Sequence, residues 1–383
     1  MPAVLILTAV IGLFVFWYLI YSVHSTFPAE EGSTKSRIFR WLLAAVPALA
    51  LAVYCRFHLV TGLIVAVHLA VFRLLCGFAV RLLGKRFGKR EISGQDRKRR
   101  MARAAGALAV VITTGYLAAG WYFAHHVAVT RYRLQTEKNI GADPLRIVQI
   151  SDSHIGSTFD GEGFARHMKT VQELEPDVVV ITGDYVDDDS LRVDMERCGE
   201  ALGSLKTTYG VYYVYGNHDR GYFQYRDFSW QDMEENLEKN GVRILKDEAV
   251  MLEENVCLIG REDRSVPGRM NMAELMEEAK KLAGTDSVDL YTIVLDHQPC
   301  DFDAQAAAGV DLVLCGHTHG GHMFPGGITG ELSGAYDKNY GLEVRDNTTF
   351  IVNSGISGWT IPFKTGAASE IGVIEVSQRD VHR

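Results

Sequence analysis

The sequence lacks the cysteine spacing that structural zinc sites and redox centres require. Its six cysteines are scattered, and no two of them form a Cys-x-x-Cys pair. Cys257 and Cys315 lie in apolar runs and are expected to be inert thiols. Whether any of the cysteines form a disulfide outside the cell is left undecided by the sequence.

Internal repeats and low-complexity segments are also absent, so neither a repeat architecture nor a biased linker is expected. No basic residue precedes Ala3, so the start of the sequence is not expected to be the charged region of a cleavable signal peptide. The formal charge of −8 on the chain of 383 residues belongs mostly to the part after the N-terminal third, since that third is basic. Because nucleic-acid binding needs a positive surface, we expect no nucleic-acid partner.

Four apolar runs near the start predict transmembrane helices. They cover about 3–21, 40–55, 59–80 and 106–127, and each approaches the roughly 20 residues that a helix needs to cross a bilayer. Some could instead be core helices of a soluble domain, but no amphipathic helix between them would supply a polar face. We therefore expect residues 1–130 to form about four spans. The exact number around residues 40–80 stays open.

A basic segment between the third and fourth runs predicts the orientation. Residues 81–103 include the cluster Arg97-Lys98-Arg99-Arg100 and only two acidic residues. A nucleic-acid-binding tail or a solvated charge run would also be basic, but basic loops between spans usually stay in the cytoplasm. This orientation puts everything after about Arg131 on the extracytoplasmic face of the cell membrane, in a multi-pass protein.

From Pro144 onward the pattern changes to alternating strands and helices. Apolar runs such as Leu145–Ile150 and Val178–Ile181 predict short strands, and segments such as Phe164–Leu174 predict amphipathic helices. This alternation is typical of an α/β domain, which we expect over residues 144–383. The polar segment 131–143 is predicted to be a plain linker.

Polar side chains follow five of the predicted strands. Asp152 and His154 are two residues apart, as are His317 and His319, so each pair would share a side of an extended chain. Each residue has an ordinary explanation alone, such as a turn aspartate at Asp184. Because open α/β sheets build their sites where strands end, we expect the whole set to meet at one edge. The set is Asp152, His154, Asp184, Asn217, His218, Asp219, His297, His317 and His319.

The donor types in this set predict a metal centre. Carboxylate, amide and imidazole groups are present and thiolates are absent. Such a mixture suits divalent ions such as Mn, Fe, Zn or Co and does not suit a structural zinc site.

The ordered motifs resemble those of the calcineurin-like metallophosphoesterases. The Gly-His-Thr-His-Gly-Gly segment from Gly316, together with the preceding apolar runs, is most similar to membrane-associated or exported bacterial members of the YkuE and YaeI type. The resemblance implies an α/β/β/α sandwich of two sheets, which would follow the predicted N-terminal bundle of transmembrane helices. The motifs that carry it are Asp152-x-His154, Gly183-Asp184, Gly216-Asn217-His218-Asp219, His297 and Gly316-His317-x-His319.

The resemblance also implies a role for each residue in a two-metal centre. One ion would be held by Asp152, His154, Asp184 and His319, and the other by Asp184, Asn217, His297 and His317, with Asp184 bridging. His218 would act on the phosphoryl oxygen or the leaving group, supported by Asp219, although a turn-forming aspartate explains Asp219 equally well. A metal-bridging hydroxide would then attack a phosphomonoester or a phosphodiester. His322 is expected at the rim of the pocket.

The substrate-binding residues and the substrate stay open at this point. A membrane tether suggests lipid or cell-envelope phosphoesters, with membrane lipids as neighbours. Asp187-Asp188-Asp189 and Asp219 depart from the protein serine/threonine phosphatase pattern, which argues against that branch. The alternative is a non-catalytic membrane sensor or scaffold that binds a phosphorylated ligand at a retained metal site. Five basic residues can each bind phosphate or be ordinary surface charges: Arg220, Arg261, Arg264, Lys338 and Lys364.

Overall fold

The computed structural model describes residues 59–87, 94–141, 144–221, 225–284 and 289–379, together with single residues between 17 and 42. The chain divides into two compact units between Ala119 and Gly120. The predicted spans at about 3–21 and 40–55 lie almost entirely outside the described residues, so a total of four spans stays a prediction.

Two long apolar helices lie in the described N-terminal part, α1 at Leu59–Phe87 and α2 at Gly94–His125. Their segments Val60–Leu83 and Arg97–His125 have the length and composition of membrane spans, and many of their large apolar side chains are exposed. Among the described residues there are two such helices, where the sequence predicts four in all. The predicted loop over 81–103 is shorter than expected, because the basic residues favour helix and start α2.

The first strand of the second unit lies where the sequence predicts a linker. β1, at Ala128–Thr136, pairs in parallel with β12, at Glu370–Gln378. The linker prediction for 131–143 is therefore wrong in its first half. Arg131 and Arg133 hid the strand, since they stand on its exposed face while the alternate residues are half-buried.

Two mixed sheets of six strands form the centre of the second unit. In the first sheet the order is β1-β12-β2-β3-β4-β5, and in the second it is β10-β11-β9-β8-β7-β6. The remaining strands of the first sheet are β2 Leu145–Ile150, β3 Val178–Thr182, β4 Val211–Val214 and β5 Val242–Ile244. Those of the second are β6 Glu248–Glu253, β7 Val256–Gly260, β8 Tyr291–Leu295, β9 Leu312–Cys315, β10 Gly341–Arg345 and β11 Thr348–Val352.

Helices cover both sheets. Ile147, Val180 and Leu314 belong to the core between the sheets, whereas the alternate residues Val179 and Val313 pack beneath helices. Because the central strands are buried on both faces, they have continuous apolar sequences. The first sheet is covered by α3 Gly161–Glu173, α4 Arg192–Gly203 and α5 Trp230–Lys239, and the second by α6 Met272–Ala283 and α7 Phe302–Ala307. This layering confirms the predicted α/β sandwich of two sheets.

Local signals fix the ends of several helices. Ser229 and Asp232 form a capping box at the start of α5, and Asn271 and Glu274 form one at the start of α6. Each box satisfies backbone amides that have no partner inside the helix. A last helix, α8 at Gly326–Ser333, follows the histidine-rich turn after β9 and begins beyond a proline.

Candidate metal centre

The predicted metal ligands lie on sharp turns where strands end. Five of the seven have a positive φ, in the left-handed region that non-glycine residues rarely adopt. The pairs Asp152/His154 and His317/His319 are therefore not on extended chain. Their side chains point in a common direction because of these turns. Such conformations cost on the order of 1–3 kcal/mol each and persist where packing determines them. The five are Asp152, His154, Asp184, His317 and His319.

The first cluster consists of Asp152, His154 and His319. The Nε2 atoms of His154 and His319 are 3.2 Å apart, and His319 Nε2 is 3.5 Å from Asp152 Oδ1. His154 Nε2 also lies 3.6 Å from Asp184 Oδ2. Two imidazole nitrogens and two carboxylates therefore point at one buried space, which is the arrangement of ligands around a cation.

The second cluster consists of Asp184, His297 and His317, with Asn217 beside them. His297 Nε2 is 3.2 Å from Asp184 Oδ2, 3.2 Å from Asn217 Oδ1 and 3.3 Å from His317 Nδ1. Asp184 Oδ2 is thus near histidines of both clusters. All seven predicted ligands converge, and Asp184 stands between the two groups.

Hydrogen bonds orient the ligands toward this centre. His297 Nδ1 donates to the Thr182 carbonyl at 2.7 Å, and His319 Nδ1 donates to the Ser357 carbonyl at 3.2 Å. Each bond leaves the Nε2 atom of that ring facing the cluster. Partners of this kind fix the tautomer and the ring orientation of a metal-binding histidine.

Burial and mutual proximity shift the pKa values of several ligands. Burial alone would raise the pKa of Asp184, but His297 and His154 hold that pKa well below its usual value. Burial lowers the pKa of His317 to about 4, and it lowers the pKa of His319 well below the usual value. Ionised carboxylate and neutral imidazole are the forms that bind metal, and Asp184, His317 and His319 are shifted toward them. Burial instead raises the pKa of Asp152. Burial alone would lower the pKa of His297, but Asp184 raises that pKa well above its usual value. With an amide oxygen and no thiolate, the donor set fits two divalent ions.

Asp187 is a functional candidate that the motif reading missed. Its Oδ1 lies 3.2 Å from His218 Nδ1, and its Oδ2 lies 3.2 Å from His154 Nδ1. Burial raises the pKa of Asp187, but hydrogen bonds from the two histidines outweigh it and hold the pKa below the usual range. The signal in the sequence was a second aspartate three residues after Asp184. This segment was used only to distinguish the chain from the protein serine/threonine phosphatases.

Comparison with known proteins identifies the family. Residues 145–321 match the family model described as calcineurin-like phosphoesterase. The chain belongs to the calcineurin-like phosphoesterases. It is 32% identical over 309 residues to a Bos taurus "Transmembrane protein with metallophosphoesterase domain", covering 76% of this chain and 66% of that protein. It is 28% identical over 281 residues to the Bacillus subtilis "Uncharacterized metallophosphoesterase YkuE", covering 71% of this chain and 92% of that protein.

The phosphoesterase chain covers its animal relatives only in part. It spans 66% of the Bos taurus protein, 57% of a Caenorhabditis elegans "Putative metallophosphoesterase F40B5.2" and 53% of a Danio rerio relative. A solved dimetal phosphatase from Danio rerio aligns with a TM-score of 0.36 at 13% identity, over 56% of this chain and 88% of that chain.

Asp219 holds the backbone of the phosphoesterase centre. Its Oδ2 accepts from the amides of Gly216 at 2.7 Å and Asp184 at 2.8 Å, and its Oδ1 accepts from those of Tyr185 at 2.8 Å and Val186 at 3.2 Å. One carboxylate thereby ties the turn after β3 to the turn after β4. This position fits a scaffold role for Asp219, with Asp187 as the carboxylate beside His218.

Two glycines let the ligand turns approach each other. A Cβ atom on Gly316 would overlap Ser151 and come within 2.5 Å of Asp152 Oδ2, and one on Gly216 would overlap the Asp184 side chain. These positions need glycine because the carboxylates occupy the space.

Most of the basic candidates for phosphate binding have structural partners. Lys364 is fully buried and donates to the carbonyls of Ser354 at 2.5 Å and Gly355 at 3.3 Å. Burial lowers the pKa of Lys364 to about 7. Lys364 therefore holds the loop that supports His319.

The four arginine and lysine candidates that remain differ in exposure. Arg261 is buried and binds Asp296 at 2.9 Å and Asp301 at 2.7 Å. Arg220 pairs with Glu262 at 2.8 Å, and Lys338 lies 3.7 Å from Glu343. Arg264 is exposed.

Two further side chains border the centre. The His322 ring stacks on His319 at 5.3 Å between centroids, and burial lowers the pKa of His322 to about 3. The Trp359 ring lies 5.1 Å from His218 and 6.4 Å from His154, and it is 39% exposed. Trp359 thus stands between the ligand clusters and solvent.

Proposed function

We propose that this chain is a membrane-anchored phosphohydrolase that cleaves phosphomonoesters or phosphodiesters with two divalent ions, Mn, Fe, Zn or Co. The observation that carries the proposal is the pair of ligand clusters that share Asp184, with His218 beside them. Asp152, His154, Asp184 and His319 would hold one ion, and Asp184, Asn217, His297 and His317 would hold the other. Such ions supply Lewis acidity that activates water and neutralises phosphoryl charge.

The chain's own residues have distinct tasks in this proposal. Asn217 adds an oxygen donor without a further negative charge that would repel a phosphoester. The Asp187 carboxylate accepts a hydrogen bond from His218 Nδ1, which leaves Nε2 to donate a proton or a hydrogen bond to the leaving oxygen. Trp359 restricts the access of water to His218.

The proposal includes the membrane and the side of the membrane. α1 and α2 serve as spans, with the two earlier apolar runs as further ones. The basic residues around Arg97 stay in the cytoplasm, which puts the second unit outside. A reporter fused after Arg383 tests this orientation, since a cytoplasmic signal would reverse it.

The competing function is a non-catalytic sensor that binds a phosphorylated ligand. A sensor needs no proton donor for a leaving oxygen. In this chain the candidate donor His218 is held by a carboxylate 3.2 Å away, beside a full set of candidate metal ligands. This arrangement favours hydrolysis.

The experiment uses the full chain in detergent, loaded with Mn and assayed on p-nitrophenyl phosphate and bis(p-nitrophenyl) phosphate. Asp184→Asn should reduce hydrolysis to the metal-free level, and His218→Ala should lower kcat by about 10²–10⁴-fold. The matched controls are Asp303→Asn, at an aspartate that is 93% exposed, and His167→Ala, on α3. Hydrolysis that is absent with every metal, or unchanged in Asp184→Asn, would contradict the proposal.

A further inference from the structure

An apolar face stands out from the surface next to the metal centre. Leu332 is 84% exposed, Ile328 is 52% exposed, and Phe324 just before the helix is 59% exposed. The three are spaced by four residues, so Ile328 and Leu332 share a side of α8. We call Phe324, Ile328 and Leu332 the α8 face. Large apolar side chains exposed together mark a contact surface.

The α8 face carries no charge of its own. The one charged residue in α8 is Glu331, and its carboxylate accepts from the Asn339 amide at 2.6 Å. Glu331 is thereby engaged with the domain itself. An uncharged apolar face is better matched to the interfacial layer of a bilayer than to a charged groove on a partner protein.

The α8 face is directly connected to the metal centre. α8 follows His319 and His322 in the chain, and the His322 carbonyl accepts from the amides of Thr365 at 2.7 Å and Gly366 at 3.1 Å. The segment that contains Thr365 also leads back to Trp359, beside His218. The face therefore lies on the same loop system that borders the clusters.

The same loop system binds the end of the proposed membrane span. Lys364 donates its amide to the Gly120 carbonyl of α2 at 2.9 Å, and Thr365 Oγ1 accepts from the Phe324 amide at 3.0 Å. Lys364 and Thr365 are neighbours, with Cα atoms about 3.8 Å apart. Only a short peptide segment thus separates the start of the α8 face from the end of α2.

The last turns of α2 have the composition of a membrane interface. Trp121, Tyr122 and Phe123 are exposed there. Tryptophan and tyrosine concentrate at the level of the lipid head groups, where their rings are partly apolar and partly wet. The α8 face lies beside this aromatic belt, which identifies the bilayer as the surface that covers it.

We propose that the α8 face rests in the interfacial layer of the bilayer that α2 crosses, so that the metal centre opens onto the membrane and takes phosphoesters of membrane lipids. This inference rests on the proposed hydrolase function and on the anchoring by α2. It assigns the substrate class from the position of the centre relative to the lipid head groups.

The contact is tested with the full chain in nanodiscs of equal parts phosphatidylethanolamine and phosphatidylglycerol. A fluorophore on Leu332→Cys is quenched by nitroxide-labelled lipids, with the signal of labelled unsubstituted protein subtracted. Val111→Cys within α2 is the positive control. Leu282→Cys is the negative control, because it is also exposed and lies at the end of α6, at the sheet edge opposite the strand ends of the centre.

Quenching at Leu332 several-fold stronger than at Leu282 supports the inference. Equal quenching at Leu332 and Leu282 overturns it. If the Val111 label is quenched in that case, the anchor stands and the α8 face alone is refuted. If the Val111 label is also unquenched, the anchoring itself fails.

The substrate class is tested with Ile328→Ser/Leu332→Ser and the control Leu282→Ser. The probes are p-nitrophenyl phosphate in solution, and phosphatidic acid and phosphatidylglycerol in vesicles. We expect unchanged turnover of the soluble ester and a fall of about tenfold in kcat/KM on the vesicle lipids for the double variant only. Equal loss on both probes, or hydrolysis of the soluble ester without either lipid, overturns the lipid assignment while the hydrolase function stands. Hydrolysis of no probe refutes the hydrolase function, and the quenching measurement still decides the contact.

Discussion

Asp187→Asn is expected to damage catalysis through His218 without removing a predicted metal ligand. The Asp187 carboxylate accepts from His218 Nδ1 at 3.2 Å, and its other oxygen lies 3.2 Å from His154 Nδ1. Asparagine keeps the shape but has one acceptor oxygen, so one imidazole loses its partner and faces an amide group. Hydrogen bonds to charged groups contribute about 1.5–3 kcal/mol each. If that contribution is lost in the transition state, kcat falls by about 10–150-fold.

The assay is steady-state hydrolysis of p-nitrophenyl phosphate by the full chain in detergent at saturating Mn. Saturation matters because His154 is also oriented by Asp187, and loss of such a partner weakens metal binding by about 10–100-fold. The control is Asp189→Asn, an exposed aspartate in the same loop. We expect a lower kcat in Asp187→Asn only. A wild-type kcat in Asp187→Asn would refute the assignment of this carboxylate to His218.

Three further predictions concern the scaffold. Gly316→Ala should weaken Mn binding by at least about tenfold, because the added Cβ displaces a ligand carboxylate. Calorimetry measures the affinity. The control Gly115→Ala adds its Cβ in open space and should leave Mn binding unchanged. Asp296→Asn should cost about 3–5 kcal/mol of unfolding free energy, since it removes the buried carboxylate that pairs with both Arg261 and Arg269. Asp301→Asn should cost under about 1 kcal/mol, because Asp301 is more exposed and Arg261 keeps Asp296. Similar losses for the two variants in thermal unfolding would contradict this. Hydrogen bonds from the capping-box serine lower the pKa of Asp232 to about 2, below the ordinary 3.8, so its contribution is present above the ordinary value and is lost as the pH falls through about 2. Asp232→Asn should therefore lower stability by under about 1 kcal/mol near neutral pH, and this difference should disappear below about pH 2. A pH-independent difference would exclude the carboxylate as the cause.

The ligands were predictable from the sequence because short motifs follow buried strands. An apolar run that stops at Gly-Asp or Gly-His identifies the strand end, and the parallel order of the strands brings those ends together. The turns themselves were not predictable. His317 and His319 share a direction through left-handed backbone angles, which the alternation of an extended chain does not describe.

Contacts between distant residues account for what the sequence did not reveal. Asp187 and His218 are separated by 31 positions and meet only because β3 and β4 are neighbours. β1 was not recognised because Arg131 and Arg133 occupy its exposed face. Lys364 resembled a phosphate ligand, yet it is buried on backbone carbonyls, and only the packed loop shows this.

The central claim is that two ions share Asp184 and that hydrolysis depends on both. The most direct measurement titrates the metal-free full chain with Mn and follows bound metal per chain together with hydrolysis of p-nitrophenyl phosphate. We predict that hydrolysis rises as the second ion binds, and that Asp184→Asn neither holds two ions nor hydrolyses the ester. Full activity with a single bound ion, or two ions and wild-type activity in Asp184→Asn, would contradict the claim.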